Sequence, residues 1–211
     1  MKLPPLYGIV DQRTAERGGW TVVALAQALL AGGARLLQLR AGAAGSGQLL
    51  AWCDEVVAAA RSCGATVIVN DRTDIALLAR AGGVHVGQAD MPVAGVRRLL
   101  PAGAAVGVST HTRSEVDGTV REAASYIAVG PVYRTATKRT GHEPVGLELV
   151  RYAVRSQRRP VVAIGGITLE RAPEVLAAGA AAVAVAADLV RGGDPARRAA
   201  DYCALTARAP E

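Results

Sequence analysis

The sequence predicts an α/β protein that forms a single (β/α)8 barrel over residues 1–211, and three observations lead to this prediction. Eight short runs of aliphatic and β-branched residues alternate with longer stretches of helical periodicity. Most of these stretches end at a glycine just before the next run, as in "AGGAR", "SCGAT" and "AGGVH", and glycine accepts the conformation that ends a helix. No linker or low-complexity segment interrupts the repeat. Strands that alternate with helices pair in parallel, and eight such units in about 200 residues fit a small closed barrel.

The eight runs define the expected strands. The first run is followed by "DQRT", which lacks the glycine-rich phosphate loop that an open doubly wound sheet carries after its first strand. The closed barrel is therefore favoured over that alternative. Between the runs, segments such as "QLLAWCDEVVAAAR" place apolar residues on one helix face. The expected strands are LYGIV (6–10), LLQLR (36–40), TVIVN (66–70), GVHVG (83–87), AVGVS (105–109), YIAVG (126–130), VVAIGG (161–166) and AAVAVA (181–186).

The composition indicates a large core built from small aliphatic residues. Hydrophobic residues make up 51% of the chain and none is Phe, so Ala, Val, Leu and Ile must fill the interior. Cys53, Cys63 and Cys203 show no metal-ligand spacing, and we expect free, buried thiols in a reducing compartment. No apolar run reaches the roughly 18 residues of a membrane span, and the first ten residues make a poor signal peptide. We therefore expect a cytoplasmic protein with no membrane partner.

The positive charge of the chain comes almost entirely from arginine. The formal net charge is +6, and Lys2 and Lys138 are the only lysines among 24 basic residues. Nucleic-acid binding is one interpretation of such a basic chain. The arginines are scattered, however, and aromatic residues that would stack on bases are scarce. We therefore expect no nucleic-acid partner, and the charge can serve solvated helix faces or attract anionic small molecules such as phosphates.

Polar, charged and glycine residues collect at the carboxyl ends of the expected strands. In this fold the catalytic side chains project from those ends, whereas the opposite ends of these strands offer mainly Gly, Ala and Pro. This asymmetry predicts an active site at one rim of the barrel. The strand-end positions are Asp11, Gln38, Arg40, Asn70, Asp71, Gln88, Asp90, Ser109, His111, the loop 131–146, Gly165, Gly166 and the segment 186–188.

Asp71 and Asp90 follow neighbouring strands, so their carboxylates are expected at the same rim. Mg2+ prefers such oxygen ligands and is usually held by one or two carboxylates together with substrate phosphates. Arg40 and Lys138, at the same rim, would bind those phosphates. These residues predict a Mg2+ site at Asp71 and Asp90. The alternative is that Asp71 caps the helix that begins at "RTDIALL".

Two further features point to phosphate binding. Gly165 and Gly166 follow the seventh strand, where backbone amides commonly hold phosphate in this fold, and the alternative is a tight turn that needs glycine. The loop 131–146 is long for its place between a strand and a helix, and it carries two threonines and Lys138. This length favours a lid over the site that binds phosphate, and the alternative is a solvated polar loop.

The three histidines differ in their expected roles. His85 lies inside an apolar strand, which is typical of a core histidine whose ring nitrogens are satisfied. His111 follows Ser109 at the rim and is a candidate general base. His142 lies in the expected lid.

Six segments, in order, resemble the thiamine phosphate synthase family over about residues 6–190: "LLQLRAG", "VIVNDRTDIAL", "GGVHVGQADMP", "VGVSTHT", "YIAVGPVYRTATKRTGHEPVGLE" and "VVAIGGITLE". The resemblance implies a transferase that joins 4-amino-2-methyl-5-(diphosphooxymethyl)pyrimidine to a thiazole phosphate, with formation of thiamine phosphate and release of pyrophosphate. It implies Mg2+ as the cofactor, and a homodimer is expected by the same analogy.

The resemblance also implies a role for each site residue. Asp71 and Asp90 would hold Mg2+ on the pyrophosphate. Arg40, Ser109 and Lys138 would assist catalysis at that leaving group. The residues expected to bind the pyrimidine diphosphate are Gln38, Arg40, Asn70, Ser109 and Lys138. Those expected to bind the thiazole phosphate are Thr135, Thr137, Gly166, Ala186 and Ala187.

Two positions depart from the family pattern. Gly42 stands where the family usually has a lysine that binds pyrophosphate, and Ala187 stands where it usually has a serine. Loss of the lysine would weaken diphosphate binding or slow its departure. These gaps leave two alternatives: a thiazole tautomerase of the same superfamily, with His111 as its base, and a non-catalytic barrel that binds thiazole or thiamine phosphates. Retention of Asp71 and Asp90 favours the synthase over the tautomerase, which needs no metal.

Overall fold

Eight parallel strands close into a barrel in the computed structural model, which describes residues 2–135, 137 and 141–205. Each strand pairs with its neighbours in sequence, and the last strand pairs with the first. The strands are β1 (Leu6–Asp11), β2 (Leu36–Arg40), β3 (Thr66–Asn70), β4 (Gly83–Val86), β5 (Ala105–Thr110), β6 (Tyr126–Val129), β7 (Val161–Ile164) and β8 (Ala182–Val185). The helices are α1 (Gln12–Arg17), α2 (Val22–Ala31), α3 (Ser46–Ser62), α4 (Thr73–Leu78), α5 (Val93–Leu99), α6 (Arg113–Gly118), α7 (Gly146–Ser156), α8 (Ala172–Ala177) and α9 (Pro195–Cys203), with short 3-10 helices at Thr119–Arg121 and Ala187–Val190.

The structure confirms the predicted barrel, and each of the eight predicted runs corresponds to one strand. The observed ends differ from the predicted ends by two residues at most. The largest difference is in β7, which ends at Ile164. Gly165 and Gly166 adopt φ angles of 103° and 65°, and the chain therefore leaves the extended conformation at that point.

Apolar residues fill two separate regions, as expected for strands that are buried on both faces. The larger region lies between the strands and the surrounding helices. The smaller region fills the barrel, where alternate residues of each strand point inward, among them Ile9, Leu36 and Ile68. Tyr7 and Tyr126 supply the aromatic rings of this interior. The other members are aliphatic, in keeping with a chain that has no Phe.

A glycine on β5 makes room for the aromatic rings inside the barrel. A Cβ atom on Gly107 would lie 2.2 Å from the Tyr126 ring and 2.5 Å from Nδ1 of His85. The Tyr126 ring stacks on His85 with 5.6 Å between the ring centroids, and it meets Tyr7 edge to face at 5.9 Å. Any side chain at position 107 would displace this group of rings, so the glycine is required by close packing.

Two expectations from composition can be compared with the structure. All three cysteines are free, with Cys53 buried as expected and Cys63 and Cys203 only half-buried. Across the described residues, no helix is both long enough and apolar enough to span a membrane.

Candidate active site

A cavity of about 410 Å³ lies at the carboxyl ends of the strands. It is lined by strand-end side chains, by the connection between β6 and α7, and by the turns that follow β7 and β8. The structure therefore brings most of the predicted site residues together. The predicted residues that line the cavity are Gln38, Arg40, Asn70, Ser109, His111, Thr135, Thr137, Gly165, Gly166, Ala186 and Ala187. Lys138 lies outside the described residues.

A continuous chain of hydrogen-bonded side chains crosses the cavity floor. Nε2 of Gln38 donates to the Tyr7 hydroxyl at 2.8 Å, and that hydroxyl is 2.8 Å from the hydroxyl of Tyr126. The Tyr126 hydroxyl lies 3.1 Å from Nδ1 of His85, and Nε2 of His85 lies 2.9 Å from Oγ of Ser109. Two predicted substrate-binding residues, Gln38 and Ser109, are thus joined through three side chains that the barrel holds fixed.

Tyr7 and Tyr126, the two tyrosines of this hydrogen-bonded series, stay uncharged. Both are fully buried, and burial raises the pKa of Tyr7 and of Tyr126 well above the usual value. The predicted core role of His85 is confirmed, because it is buried and both of its ring nitrogens have partners. His85 also lines the cavity. The two tyrosines therefore offer uncharged donors and acceptors, which suit an uncharged polar ring.

Arg40 is held by a buried carboxylate and also contacts the expected lid. Its Nε donates to Oδ2 of Asp11 at 2.9 Å, and its Nη2 donates to the backbone oxygen of Thr137 at 3.3 Å. The other carboxylate oxygen of Asp11 accepts from the backbone N and the hydroxyl of Thr14, and so caps α1. The helix cap and the ion pair together fix the guanidinium at the cavity wall.

The turn after β7 is shaped by the loop that packs on it. A Cβ atom on Gly166 would lie 2.5 Å from the backbone oxygen of Arg134, and one on Gly165 would lie 2.6 Å from Pro131. The backbone N of Tyr133 donates to the Gly165 oxygen at 2.9 Å. The tight-turn interpretation of these glycines is therefore correct. The turn also lines the cavity, and phosphate binding by its backbone stays a prediction.

Asp188 joins the turn after β8 to the loop after β7. It is buried, and its Oδ2 accepts from the backbone N of Leu169 at 3.2 Å and from the Tyr202 hydroxyl at 2.7 Å. Arg198 of α9 is also paired with it, at 3.1 Å. This carboxylate fixes the position of Ala187 and its neighbours relative to the β7 turn.

The two carboxylates predicted to bind metal are not among the residues that line the cavity. Asp71 follows β3 with a φ of 60°, and its Oδ2 accepts from Nδ2 of Asn70 at 2.6 Å. Oδ2 of Asp90 accepts from the backbone N of Gly87, after β4, at 2.7 Å. The N-cap position of α4 is occupied by Arg72, so Asp71 lies one residue before the cap position at which the alternative interpretation placed it. Within the described ranges there is no cluster of three or more His, Cys, Asp and Glu side chains that could hold a metal.

His111 faces the cavity, and its ring is held in place. Its Nδ1 lies 2.5 Å from the backbone oxygen of Gly130, so this nitrogen carries the proton and donates it to the carbonyl. The ring stacks on His142 with 4.1 Å between the centroids. The backbone N of His111 donates to Glu115 at 2.6 Å. The structure thus brings together two of the three histidines at the rim.

Known proteins share both the sequence and the fold of this chain. A family model described as thiamine monophosphate synthase matches residues 6–189. The chain belongs to the thiamine monophosphate synthase family. A thiamine-phosphate synthase from Methanocella arvoryzae is 41% identical over 189 residues, which cover 90% of this chain and 88% of the relative. Another from Chloroflexus aurantiacus is 40% identical over 200 residues, which cover 95% of this chain and 91% of the relative. A solved structure of a thiamine phosphate pyrophosphorylase from Pyrococcus furiosus has a TM-score of 0.86 at 30% identity, and the match covers 95% of this chain and 94% of the other.

This member of the thiamine monophosphate synthase family has open space at position 42. No atom lies within 4 Å of a Cβ atom built on Gly42. The cavity is lined instead by arginines that the sequence did not single out. Besides Arg40, the arginines on the cavity lining are Arg134, Arg171 and Arg191.

The sequence reasoning missed the tyrosines of the floor and these arginines. Tyr7 and Tyr126 lie inside runs whose pattern indicates only strands. The signal that could have found them is the two-residue period of a strand. Tyr7 lies two residues before Ile9, whose side chain points inward, so it shares the inward face. Arg171 precedes α8 and carries no comparable signal.

Proposed function

We propose that this chain is a thiamine-phosphate synthase, which joins 4-amino-2-methyl-5-(diphosphooxymethyl)pyrimidine to a thiazole phosphate and releases pyrophosphate. One observation carries the proposal beyond family membership. A hydrogen-bonded floor with uncharged tyrosine hydroxyls, together with cationic and hydroxyl groups, lines a single cavity of about 410 Å³. Such a cavity offers separate surroundings to an uncharged ring and to phosphate groups.

The floor suits the aminopyrimidine ring. Gln38, Tyr7 and His85 line the cavity and present polar atoms that already have partners. Their side chains are therefore fixed before the substrate arrives, which lowers the entropic cost of binding. The tyrosine hydroxyls carry no positive charge in either protonation state, so they do not oppose a ring that becomes electron-poor when its leaving group departs.

The diphosphate would lie above the floor, against Arg40, Ser109 and Asn70. Arg40 is held by Asp11 at 2.9 Å, so its remaining N–H groups are positioned to bind phosphate oxygens. Lys138, proposed from the sequence to assist at the same leaving group, would add a second cation. These groups stabilise negative charge as it develops on the pyrophosphate.

Asp71 and Asp90 would hold Mg2+ at the same rim. Each carboxylate has one oxygen fixed by a hydrogen bond, from Asn70 and from Gly87 respectively. Two carboxylates completed by substrate phosphates fit the few protein ligands that Mg2+ usually takes. The chemistry that Mg2+ supplies when bound is neutralisation of charge on the pyrophosphate.

The thiazole phosphate would lie at the opposite edge of the cavity. Thr135 and Thr137 line it from the loop, and Gly166, Ala186 and Ala187 line it from the turns after β7 and β8. Hydroxyl groups and backbone amides of such turns bind phosphate without a side-chain charge. The thiazole nitrogen then bonds to the exocyclic methylene carbon of the pyrimidine as the bond from that carbon to pyrophosphate breaks, so the residues act chiefly by positioning the two substrates.

The proposal is tested by incubating the purified protein with both substrates, with and without Mg2+, and measuring thiamine phosphate. Product that depends on Mg2+ supports the synthase. Folded protein that forms no product contradicts it, and a double-bond shift in a thiazole phosphate carboxylate would then favour the tautomerase with His111 as base.

The metal site is tested separately with Asp71→Asn and Asp90→Asn. Asn tolerates the positive φ at position 71, so the backbone is kept while the charge is removed. Each variant should lose about 100-fold or more in Mg2+-dependent turnover, the effect of about 3 kcal/mol of lost charge stabilisation. Asp54→Asn, on the exposed face of α3, is the matched control and should match the unmodified protein. Normal turnover in both rim variants would remove the metal-site assignment.

A further inference from the structure

Arg171 is a cation on the cavity lining to which neither the sequence nor the family resemblance gives a role. We infer that Arg171 binds the phosphate group of the thiazole substrate and sets the preference of the site for a phosphorylated over an unphosphorylated thiazole. This inference rests on the proposed function, and it adds a specificity-determining residue to it.

Two contacts hold the Arg171 guanidinium in one place. Its Cζ lies 4.6 Å from the centroid of the Tyr133 ring, in a cation–π contact. Its Nη1 donates to the backbone oxygen of Gly166 at 2.9 Å. Arg171 is therefore fixed directly beside the turn that is proposed to bind the phosphate.

The Tyr133 ring is itself fixed, so it can serve as a platform. Its hydroxyl donates to the Glu174 carboxylate, and its backbone N donates to the Gly165 oxygen at 2.9 Å. Burial, together with the hydrogen bond to Glu174, raises the pKa of Tyr133 to about 12, so the hydroxyl stays protonated and keeps donating. The platform, the turn and the guanidinium form one connected unit.

Charge balance distinguishes Arg171 from Arg40 and Arg191 on the cavity wall. Arg40 is paired with Asp11 at 2.9 Å, and Arg191 has Asp188 at 4.0 Å. In the described part of the chain, no carboxylate forms an ion pair with Arg171. Its guanidinium reaches the nearby Glu174 carboxylate only through the Tyr133 ring, so it is available for an anionic ligand.

The chemistry of the group points to phosphate. A guanidinium is planar and donates two parallel hydrogen bonds to phosphate oxygens. Because Nη1 of Arg171 is engaged with Gly166, the other N–H groups are those that would contact the ligand. A thiazole with a free hydroxyl group in place of the phosphate lacks the charge that this arrangement binds, and a site built for a charged group rejects such an analogue strongly.

The test compares two thiazole substrates in Arg171→Gln and Arg171→Lys. For Arg171→Gln, the KM for thiazole phosphate should rise roughly tenfold or more, the effect of lost hydrogen bonds to a charged group. Its kcat should stay within about twofold, and its KM for the pyrimidine diphosphate should not change, because an interaction equal in ground and transition states affects KM alone. Arg171→Lys keeps the charge and should fall between Arg171→Gln and the unmodified protein. Arg155→Gln, which removes an exposed arginine of α7, is the charge control and should behave like the unmodified protein.

The unphosphorylated thiazole alcohol separates binding from a purely structural role. The ratio of kcat/KM for the phosphate to kcat/KM for the alcohol should fall in Arg171→Gln by about the same factor as the KM rises. If Arg171 only supports the Gly166 turn, both substrates will lose equally and the ratio will not change, which would overturn the inference.

A binding measurement keeps this test independent of turnover. Isothermal titration of thiazole phosphate into the unmodified protein and into Arg171→Gln, with folding checked by circular dichroism, needs no product formation. Weaker binding by the variant supports the inference even if the unmodified protein makes no thiamine phosphate. In that case the absence of product contradicts the proposed reaction and not the role of Arg171. Equal binding by the two proteins, or no binding by either, overturns it.

Discussion

Replacing Asp11 by Asn is expected to disturb Arg40 while leaving the start of α1 intact. Oδ1 of Asp11 accepts from the backbone N and the hydroxyl of Thr14 at 2.9 and 2.7 Å, and Asn caps helices as well as Asp does. Oδ2 accepts from Nε of Arg40 at 2.9 Å. An amide nitrogen in that place would face a second donor, so Asp11→Asn removes the ion pair and retains the cap.

The size of the effect follows from the burial of the pair. The Arg40 and Asp11 side chains are 18% and 7% exposed, so water screens their interaction only weakly. Breaking a fully buried pair costs about 3–5 kcal/mol, and a hydrogen bond between charged groups contributes about 1.5–3 kcal/mol. For a pair at the rim of a cavity we expect a loss of about 2–3 kcal/mol. In a chain of about 200 residues this lowers Tm by roughly 5–10 °C.

The assay combines thermal unfolding with steady-state kinetics. Asp11→Asn should lower Tm by that amount and raise the KM for the pyrimidine diphosphate. Because Arg40 also contacts the backbone oxygen of Thr137, the KM for thiazole phosphate should rise by a smaller factor. Asp201→Asn is the control, because its ion pair with Arg197 is exposed, with side chains 77% exposed at Arg197 and 34% at Asp201, and should contribute less than about 1 kcal/mol. A Tm for Asp11→Asn no lower than that of Asp201→Asn would refute the reasoning.

Three further substitutions or treatments have expected outcomes. Gly42→Lys has room, because no atom lies within 4 Å of a Cβ at this position. The added ammonium should lower the KM for the pyrimidine diphosphate several-fold, the effect of about 1 kcal/mol. An unchanged KM in steady-state kinetics would contradict a diphosphate role for this position. Tyr126→Phe removes the hydroxyl that is hydrogen-bonded to Tyr7 and His85. The free energy of unfolding of the variant, measured in urea, should be lower by about 1–3 kcal/mol, and a change below about 0.5 kcal/mol would contradict a stabilising role for these hydrogen bonds. Burial, with a smaller effect of the neighbouring Asp54 charge, raises the pKa of Cys53 to about 12, so mass spectrometry should find it unmodified by iodoacetamide in the native protein and alkylated after unfolding.

The strands could be predicted from the sequence because their signals are local. A run such as "TVIVN" carries its β propensity within itself, and β3 begins and ends where the run does. Where the prediction missed, a contact with a distant segment decided the outcome. β7 ends early because Gly165 turns against Pro131, more than thirty residues away in sequence.

The candidate site shows the same division. Arg40, Asn70 and Ser109 could be placed at the cavity because each stands at the end of a strand, and the fold assigns those ends to one rim. The meeting of Tyr7 with Tyr126 joins residues 119 positions apart, and no local pattern encodes it. The position of Arg171 beside the Gly166 turn likewise depends on the loop that supplies Tyr133.

The absence of Phe from the chain bears on the proposed chemistry as well as on packing. Tyr7 and Tyr126 fill a barrel centre that phenylalanine rings could also fill, but their hydroxyls carry the hydrogen-bonded chain from Gln38 towards Ser109. Burial keeps both hydroxyls neutral. In the proposed reaction, positive charge develops on the pyrimidine and negative charge on the pyrophosphate. Uncharged tyrosine hydroxyls beneath the ring and a cation held at the rim by Asp11 place each developing charge where it is tolerated.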